Sequence, residues 1–347
     1  MWFLQKTLSA TIAAKRRLST IEGQMHGQVE FDTVPNMRLA AIDCGTNTAM
    51  LLVVDVDPSD GKLVPVADHL EMPRLGQDLD RTHRLHPDAI RRTLEAIDRQ
   101  IARAASLSVD ELVLVGTESL RAAQNSDELL SALAERGVTM RIVSGDDEAR
   151  LAFLSVARSL PLPPGVVRSV LDIGGGSTEL IVGQEHPEVW ASVKIGSVRL
   201  HERFLSHDPP TEKERHRLVE AIDAALAHLP KPEGELVALA GTATTIGAIH
   251  LGLTQYDGKL VDGLRMPTSR VREIVSALGV RSVAERTHMA GLDARRADVI
   301  YAGAMILLRV AERAGVTDVV LSDRGVRFGM LEELSARKNG PSAHGQR

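Results

Sequence analysis

The sequence predicts an α/β fold built from two domains of similar design, and three observations lead to this prediction. The chain has 347 residues, enough for two domains, and its 44% apolar and 25% charged residues are ordinary for a folded globular protein. Short apolar segments typical of strands alternate with amphipathic helical segments. One strand–turn–strand motif also occurs twice, each time at the start of its own α/β unit.

The repeated motif consists of a strand, a tight turn that follows an acidic residue, and a second strand. It reads AIDCGTNTAMLLVV at residues 41–54 and VLDIGGGSTELIVG at residues 170–183. One constant offset aligns the copies, pairing Asp43 with Asp172, Gly45 with Gly174, Thr48 with Ser177, Leu51 with Leu180 and Val53 with Val182. We therefore expect two domains that each begin with this motif.

The first domain is predicted to span residues 37–160. Two strands flank the first turn, and the next helix has an apolar face formed by Ile90, Leu94, Ile97 and Ile101. The remaining predicted elements are a strand at ELVLVG, a helix from a Ser126 cap to Gly137, a strand at VTMRIVS and a helix from about Asp146 to Leu160.

The second domain is predicted to span residues 166–335, after a boundary at PLPPG, residues 161–165. Its elements after the motif are a helix opened by a Thr211–Glu214 capping box, a strand at ELVALAG, a helix at TATTIGAIHLG, a buried helix that includes Val299–Leu308, a strand at TDVVLSD and a helix from about Gly325 to Ser335. We consider that this last helix packs back on the first domain. Residues 1–36 are predicted to be a disordered extension or a mis-called translation start, and residues 336–347 a disordered tail.

Composition limits the classes of function. A single cysteine, Cys44, excludes an internal disulfide and a multi-cysteine zinc site, so we expect a cytoplasmic protein. The apolar stretch Val299–Leu308 is about half the length of a membrane span, so no membrane is expected. The net charge of −5 gives no overall attraction for nucleic acid, and an anionic ligand would need local arginines, backbone amides and metal ions.

The two glycine turns are candidate phosphate sites. A hairpin tip can point its peptide N–H groups outward, and such amide clusters bind phosphate oxygens, with glycine allowing positive φ angles and close approach. The dinucleotide-binding fingerprint fails because Glu179 occupies the position of its third glycine, and the sequence contains no P-loop motif. The alternative is a plain tight hairpin, for which glycine is also common.

Four acidic residues follow strands. Asp43 and Asp172 stand where strands end, and each would repel phosphate unless it binds Mg²⁺, although either could bond to turn amides instead. Glu118 and Glu148 follow buried strands, where they could share one cleft and activate a water for hydrolysis of a phosphoanhydride. The alternative for Glu118 is an acid in the first turn of a helix, favoured by the helix dipole.

Further residues could bind an anion. The segment GTATT, Gly241–Thr245, ends a strand and opens a helix, so its amides could hold phosphate, although Thr242 could also be a simple cap. Arg74, Arg296 and Arg324 lie beside turn residues, where a guanidinium can bind phosphate. The alternative is that these side chains are only solvated.

Eight segments, taken in order, resemble the exopolyphosphatase and guanosine pentaphosphate phosphohydrolase (Ppx/GppA) phosphatase family. They are AIDCGTNT, RLGQDL, GTESLRAAQN, IVSGDDEARL, LDIGGGSTEL, KIGSVRLHERFL, LAGTATT and SDRGVRFGML, and the similarity runs from about Met37 to Leu334. The resemblance implies two ribonuclease H-like domains of the actin-like ATPase superfamily, with the active site in the cleft between them. Longer family members have an additional helical C-terminal region, so we expect the short form.

The resemblance also implies roles for individual residues. Glu118 would be the catalytic glutamate that orients or deprotonates the attacking water, with Glu148 as the second catalytic acid. The metal ligands would be Asp172, Glu148 and, from its place at the strand end, Asp43, with Mg²⁺ as the cofactor and Mn²⁺ as the alternative. With the GTATT loop included, the phosphate-binding candidates are Thr46, Asn47, Thr48, Arg74, Gly174, Gly175, Gly176, Ser177, Thr178, Gly241, Thr242 and Arg296.

The first functional hypothesis is an exopolyphosphatase that acts on short to medium polyphosphate. Guanosine pentaphosphate is the alternative substrate, and a phosphotransferase of the same fold is the alternative enzyme. A non-catalytic sensor of polyphosphate or nucleotide is the alternative outside enzymes. The resemblance also implies a homodimer.

Overall fold

The computed structural model describes residues 37–339, so the predicted extension at 1–36 and the tail from residue 340 lie outside the described residues. The first sheet has the strand order β3-β2-β1-β4-β5. Its strands are β1 Arg38–Cys44, β2 Ala49–Val56, β3 Leu63–Glu71, β4 Glu111–Gly116 and β5 Arg141–Ile142. The first three strands are antiparallel, and β4 and β5 continue the sheet parallel to β1. This order is the ribonuclease H-like topology.

The second sheet repeats this order and adds one strand, as β10-β11-β9-β6-β7-β8. Its strands are β6 Arg168–Ile173, β7 Thr178–Gly183, β8 Pro187–Val193, β9 Glu235–Leu239, β10 Leu264–Pro267 and β11 Asp318–Leu321. Strands β6, β7 and β8 are antiparallel, β9 and β11 run parallel to β6, and β10 pairs antiparallel with β11. The predicted α/β fold with two similar domains is confirmed.

Helices cover both faces of each sheet, and their bounds follow in chain order. In the first half they are α1 Leu79–Thr82, α2 Pro87–Ser106, α3 Glu118–Ala122, α4 Ser126–Glu135 and α5 Gly145–Ser159. In the second half they are α6 Ser197–Phe204, α7 Glu212–Leu226, α8 Ala240–Leu251, α9 Gly258–Val261, α10 Thr268–Gly279, α11 Val283–Arg286, the 3₁₀ turn Ala294–Arg296, α12 Ile300–Ala314 and α13 Val326–Asn339. None of the helices within residues 37–339 is long and apolar enough to cross a membrane.

The last helix, α13, returns to the first domain. It packs on α5 and β1, and its Phe328 and Leu331 belong to a core cluster that also contains Leu39 and Leu52 of the first sheet and Val170 of the second. Every residue of β6 is buried, as expected for a central strand covered on both faces. The apolar core is therefore continuous between the two halves.

Three local predictions were wrong. Ser126 is the first residue of α4 and does not cap it; the cap position is Asn125, whose side chain instead bonds to the backbone of Leu85. The predicted strand VTMRIVS shrinks to Arg141–Ile142, because β5 lies at the edge of the sheet and pairs with β4 alone. Residues 336–339 of the predicted tail are helical, since they continue α13.

A buried acid where α13 packs on α5 gives a pH prediction. Glu332 is 5% exposed, its Oε2 lies 3.6 Å from Nε of Arg158, and burial raises the pKa of its carboxyl to about 7, against the opposing charges of Arg158 and Arg324. The folded protein then binds more protons than the unfolded chain between pH 4.5 and 7, so the free energy of unfolding falls as pH rises through this window. We expect Glu332→Gln to remove a fall on the order of 2 kcal/mol in the free energy of unfolding across this window.

Urea unfolding at several values between pH 4.5 and 7.5 would measure this effect. Glu135→Gln, which replaces an exposed acid on α4, is the control and should leave the slope unchanged. Parallel slopes for wild type and Glu332→Gln would show that this carboxyl does not carry the pH dependence.

Candidate active site

The two repeated turns have the same backbone geometry. In the first, the amide of Gly45 donates to the carbonyl of Thr48 at 2.8 Å, and in the second Gly174 donates to Ser177 at 3.0 Å. Each turn joins two antiparallel strands, so each forms the tip of a β-hairpin. The correspondence seen in the sequence therefore extends to an equivalent hydrogen bond in each domain.

The two tips face each other across the interface between the domains. Thr46 of the first tip lies against Gly175 and Gly176 of the second: a Cβ on Gly176 would be 2.9 Å from Oγ1 of Thr46, and one on Gly76 would overlap its methyl group. Neither Gly175 nor Gly176 has a positive φ, and Gly174 does not either. These glycines are needed because the tips approach closely, whereas the left-handed conformation that the sequence also suggested is not used.

The remaining tip residues differ in how free their polar groups are. Asn47 is 7% exposed and its Oδ1 has no hydrogen-bond partner within the described part of the chain, so it can still accept a hydrogen bond. Thr48 is half-buried and Ser177 is buried. Thr178 points away from the tip, because its hydroxyl donates to the carbonyl of Ile195 at 2.7 Å. Its side chain therefore has a structural contact of its own.

Four carboxylates converge behind the tips, of which Asp172 and Glu179 are buried and Asp43 and Glu148 partly buried. Asp43 and Asp172 are the next-to-last residues of β1 and β6, and Glu148 lies in the first turn of α5. Burial raises the pKa of Asp43 to about 6 and raises the pKa of Asp172 and of Glu148 well above the usual range, with the mutual repulsion of these acids adding to the last two. Glu179 on β7, opposite Asp172 in the register, also has a pKa raised by burial.

Arg121 supplies positive charge to this cluster. Its guanidinium lies 2.7 Å from Glu148, 3.5 Å from Glu118 and 2.6 Å from the carbonyl of Val143. It follows Glu118 by three residues on α3, so the two side chains lie on one face of the helix. Arg121 thereby holds the two predicted catalytic acids in one cleft.

Glu118 itself stands at the contact between the domains. A Cβ on Gly176 would be 3.2 Å from its Cγ, and its Oε1 accepts a hydrogen bond from Arg199 of the second domain at 3.4 Å. A narrow cavity of about 10 Å³ lies here, bounded by Glu118, Gly176, Thr46 and Arg199. This volume is room for about one water molecule.

The donors in the cleft suit a hard cation. The acids present only oxygen atoms, which Mg²⁺ prefers, and Oδ1 of Asp43 has no hydrogen-bond partner among residues 37–339. Within the same residues, no three carboxylates, histidines or cysteines are close enough to form a complete metal site. Mg²⁺ often binds through one or two carboxylates and completes its shell with water and substrate phosphate. The residues fit that mode, with one or two of Asp43, Asp172 and Glu148 as the candidate ligands.

The GTATT segment opens α8 at the end of β9. Ala240 just before it has φ 66°, which turns the chain sharply from strand to helix. The guanidinium of Arg296 lies against Gly241, where any Cβ would overlap it, and it makes no side-chain hydrogen bond or ion pair within the described residues. Burial lowers its pKa, against the opposing effects of Asp293 and Tyr256. Arg296 and the start of α8 are therefore placed together and available to an anion.

Thr242 packs near the second tip. A Cβ on Gly303 of α12 would lie 2.5 Å from Oγ1 of Thr242 and 3.1 Å from Cβ of Ser197, and the amide of Ser197 donates to Gly174. The start of α8, the start of α6 and the second hairpin tip are thus neighbours.

Arg74 lies beside the first hairpin tip, where its amide donates to the carbonyl of Asn47 at 3.2 Å. Its guanidinium forms a bidentate salt bridge with Asp298 at 2.7 and 3.0 Å and also donates a hydrogen bond to the carbonyl of Arg295. Its backbone is left-handed, with φ 54°, which is unfavourable for a residue with a Cβ. Arg74 connects the two domains in this structure. Arg324, also noted in the sequence, lies over the ring of Phe328 at 4.5 Å.

Sequence reasoning missed several charged residues of the cleft. Arg121 could have been found from its spacing to Glu118. Glu179 could have been found from the repeat, because the equivalent position of the first motif is the apolar Met50, so a charged residue there is not required by the repeated fold. Arg199 gave no local signal. Arg327 of α13 pairs with Asp68 at 2.7 Å and lowers the pKa of Asp43, which only the return of α13 to the first domain brings about. Cys44, predicted to be a small buried residue, is fully buried, and burial raises the pKa of its thiol.

Comparison with known proteins gives one consistent result. The model of the Ppx/GppA phosphatase family matches residues 52–338. Exopolyphosphatase 2 of Mycobacterium tuberculosis is 33% identical over 315 residues, covering 86% of this chain and 98% of the relative, and exopolyphosphatase 1 of the same organism is 29% identical over 313 residues, covering 88% and 90%. The crystal structure of the Aquifex aeolicus Ppx/GppA family member has a TM-score of 0.75 and 31% identity, covering 87% of this chain and 99% of that one.

The family match spans both domains and every segment on which the sequence resemblance depends except the first, AIDCGTNT at residues 41–48. The relatives are covered almost from end to end, so the similarity includes the cleft as well as the fold. This chain belongs to the Ppx/GppA phosphatase family and is therefore a hydrolase that acts on phosphoanhydride bonds.

Proposed function

We propose that this protein is a Mg²⁺-dependent exopolyphosphatase that releases terminal phosphate from inorganic polyphosphate of short to medium length. The observation that carries the proposal is the position of Glu118, which lies beside Gly176 of one hairpin tip and Thr46 of the other, next to space for about one water. The names of the M. tuberculosis relatives support polyphosphate as the substrate class.

In the proposed reaction the hairpin tips hold the terminal phosphate. Amides of the tips donate hydrogen bonds to its oxygens, and the free Oδ1 of Asn47 accepts a hydrogen bond from a water of its hydration shell. Arg296 with the start of α8 binds phosphates further along the chain. Bound Mg²⁺ would neutralise negative charge on the phosphate oxygens. Glu118 aligns a water with the terminal phosphorus and accepts its proton as the water attacks.

The cleft must open before a polyphosphate chain can enter. A cavity of about 10 Å³ is far smaller than one phosphate group. Ion pairs between the domains close it, with Arg74 on Asp298 and Arg203 on Asp80. A polyanion that attracts these arginines would favour the open form, so these two arginines are expected to weaken their interdomain pairs when substrate binds.

The proposal predicts phosphate release with water as the only acceptor. Initial rates should be measured on tripolyphosphate, on polyphosphates of about 15 and several hundred units, and on guanosine pentaphosphate, each with Mg²⁺, with Mn²⁺ and with excess EDTA. We expect the highest kcat/KM on one of the two shorter polyphosphates and loss of activity in EDTA. Heat-inactivated protein is the control for spontaneous hydrolysis.

The same panel separates the alternatives. A higher kcat/KM on guanosine pentaphosphate would favour the nucleotide phosphohydrolase, and release that requires an added acceptor would favour the phosphotransferase. Binding of polyphosphate without release under any condition would favour a sensor. Homodimer formation and a cytoplasmic location are also part of the proposal, and size-exclusion chromatography with light scattering and cell fractionation would test them.

A further inference from the structure

We propose that Arg199 is a catalytic arginine that binds the terminal phosphoryl group and stabilises the charge of its transition state. This inference rests on the proposed hydrolysis of phosphoanhydrides and assigns one further residue to the same cleft. It is carried by the placement of Arg199 beside Glu118 and the second hairpin tip, its burial and the looseness of its present contacts.

The backbone at Arg199 is fixed to the second tip. The carbonyl of Gly175 accepts hydrogen bonds from the amides of Val198 and Arg199 at 3.0 and 3.1 Å. This contact depends on Gly196, where a Cβ would lie 2.5 to 2.6 Å from backbone atoms of Gly175 and Gly176. The start of α6 is therefore held against the tip that is expected to bind phosphate, and Arg199 has a defined position relative to it.

The guanidinium of Arg199 is buried, but its hydrogen-bonding capacity is not filled. It is 8% exposed and bounds the cavity together with Glu118, yet its two ionic contacts are long, 3.4 Å to Glu118 and 3.5 Å to Asp80. Asp80 has a shorter partner in Arg203, at 2.5 Å. A charged group that is buried beside an acid without short hydrogen bonds can gain contacts when an anion enters.

The other arginines of the cleft have different contacts. Arg121 is committed to Glu148 and to a backbone carbonyl at 2.7 and 2.6 Å, Arg74 pairs with Asp298, and Arg296 lies at the start of α8. Among these four arginines, only Arg199 contacts Glu118 from the second domain. Closure of the domains therefore brings its guanidinium to the site where water would attack.

The proposed step balances as follows. The water oxygen forms a bond to the terminal phosphorus, the bridging P–O bond breaks, and the shortened polyphosphate leaves with the electron pair. The proton of the water passes to the carboxylate of Glu118. The fork of Arg199 moves from Glu118 to two non-bridging oxygens of the terminal phosphate, which offsets their charge and frees the carboxylate as a base.

Steady-state kinetics of Arg199→Gln, Arg199→Lys and Arg199→Ala on tripolyphosphate with Mg²⁺ would test this assignment. We expect Arg199→Gln to lower kcat by about 100-fold while KM changes by less than about 5-fold, because the contact forms mainly in the transition state. Arg199→Lys should recover only a small part, since an ammonium ion lacks the fork. Added guanidinium ion should raise kcat of Arg199→Ala in a saturable way, which loss of structure alone would not produce.

Arg272→Gln is the matched control, because Arg272 is an arginine of the same domain that pairs with Glu312 and has a side chain that is 54% exposed. It should keep kcat within about 3-fold of wild type. An Arg199→Gln or Arg199→Lys protein with wild-type kcat would overturn the assignment, as would an Arg199→Ala protein that guanidinium does not rescue. Wild-type protein that releases no phosphate would instead overturn the proposed function.

Discussion

Glu118→Gln is expected to lower kcat for phosphate release by about 1,000-fold, since general-base catalysis contributes roughly 10²- to 10⁴-fold. Glutamine keeps the length and most of the hydrogen-bonding capacity of the side chain, but it cannot accept a proton from the attacking water. The contacts with Gly176 and the neighbouring Arg199 can persist, so substrate binding should be retained. Phosphate release gives kcat, and titration of the variant with tripolyphosphate gives the dissociation constant.

Glu128→Gln is the control for this substitution. Glu128 is a glutamate of the same domain whose side chain is 48% exposed and pairs with Arg84 on the surface. It should leave both kcat and binding unchanged. If Glu118→Gln kept more than a tenth of the wild-type kcat, Glu118 would not be the base, and a different acid of the cleft, with Glu148 first, would have to be considered.

Gly196→Ala is expected to have a large effect on stability. A Cβ here would lie 2.5 Å from the carbonyl carbon and oxygen of Gly175 and 2.6 Å from the nitrogen of Gly176, and backbone atoms cannot turn aside as a flexible side chain can. Overpacking typically costs 1 to 3 kcal/mol, and we expect roughly 3 kcal/mol here because the start of α6 must move off the hairpin tip. Activity should fall with it, since the same movement displaces Arg199.

Urea unfolding and phosphate release measured on the same preparation would check this prediction. Gly145→Ala is the matched control, because a Cβ on Gly145 meets nothing within 4 Å and its φ is not positive. It should be as stable as wild type or slightly more so, since alanine favours the helix that begins there. A Gly196→Ala protein with wild-type stability and kcat would mean that close packing of α6 on the tip is dispensable.

The sequence was sufficient for the fold because the fold repeats. Asp43 and Asp172 lie near the ends of equivalent strands. A match at one constant offset in two α/β units indicates two similar domains. Local signals were weaker where tertiary contacts compete with them. Asn125 takes the cap position that Ser126 was expected to fill, because Asn125 also bonds to Leu85 forty residues earlier in the chain.

The chemistry of the cleft was only partly predictable. Glu118 and Glu148 could be chosen because acids after buried strands are brought to one edge of a sheet. The arginines that control them could not, since Arg199 and Arg74 acquire their partners across the domain interface, and such partners depend on how two folded units dock. The sequence also indicated that the tip glycines permit close approach, but it did not show that the approaching residue is Thr46 of the other domain.

The return of α13 to the first domain limits how the enzyme can move. The chain passes between the halves near residues 160–167, just before β6, and again near residues 322–326, just after β11. Two such tethers leave rotation about a line through both of them as the easiest motion, while sliding or full separation would require one tether to stretch or α13 to detach. Access to the cleft would then require a hinge rotation of one domain relative to the other about this line.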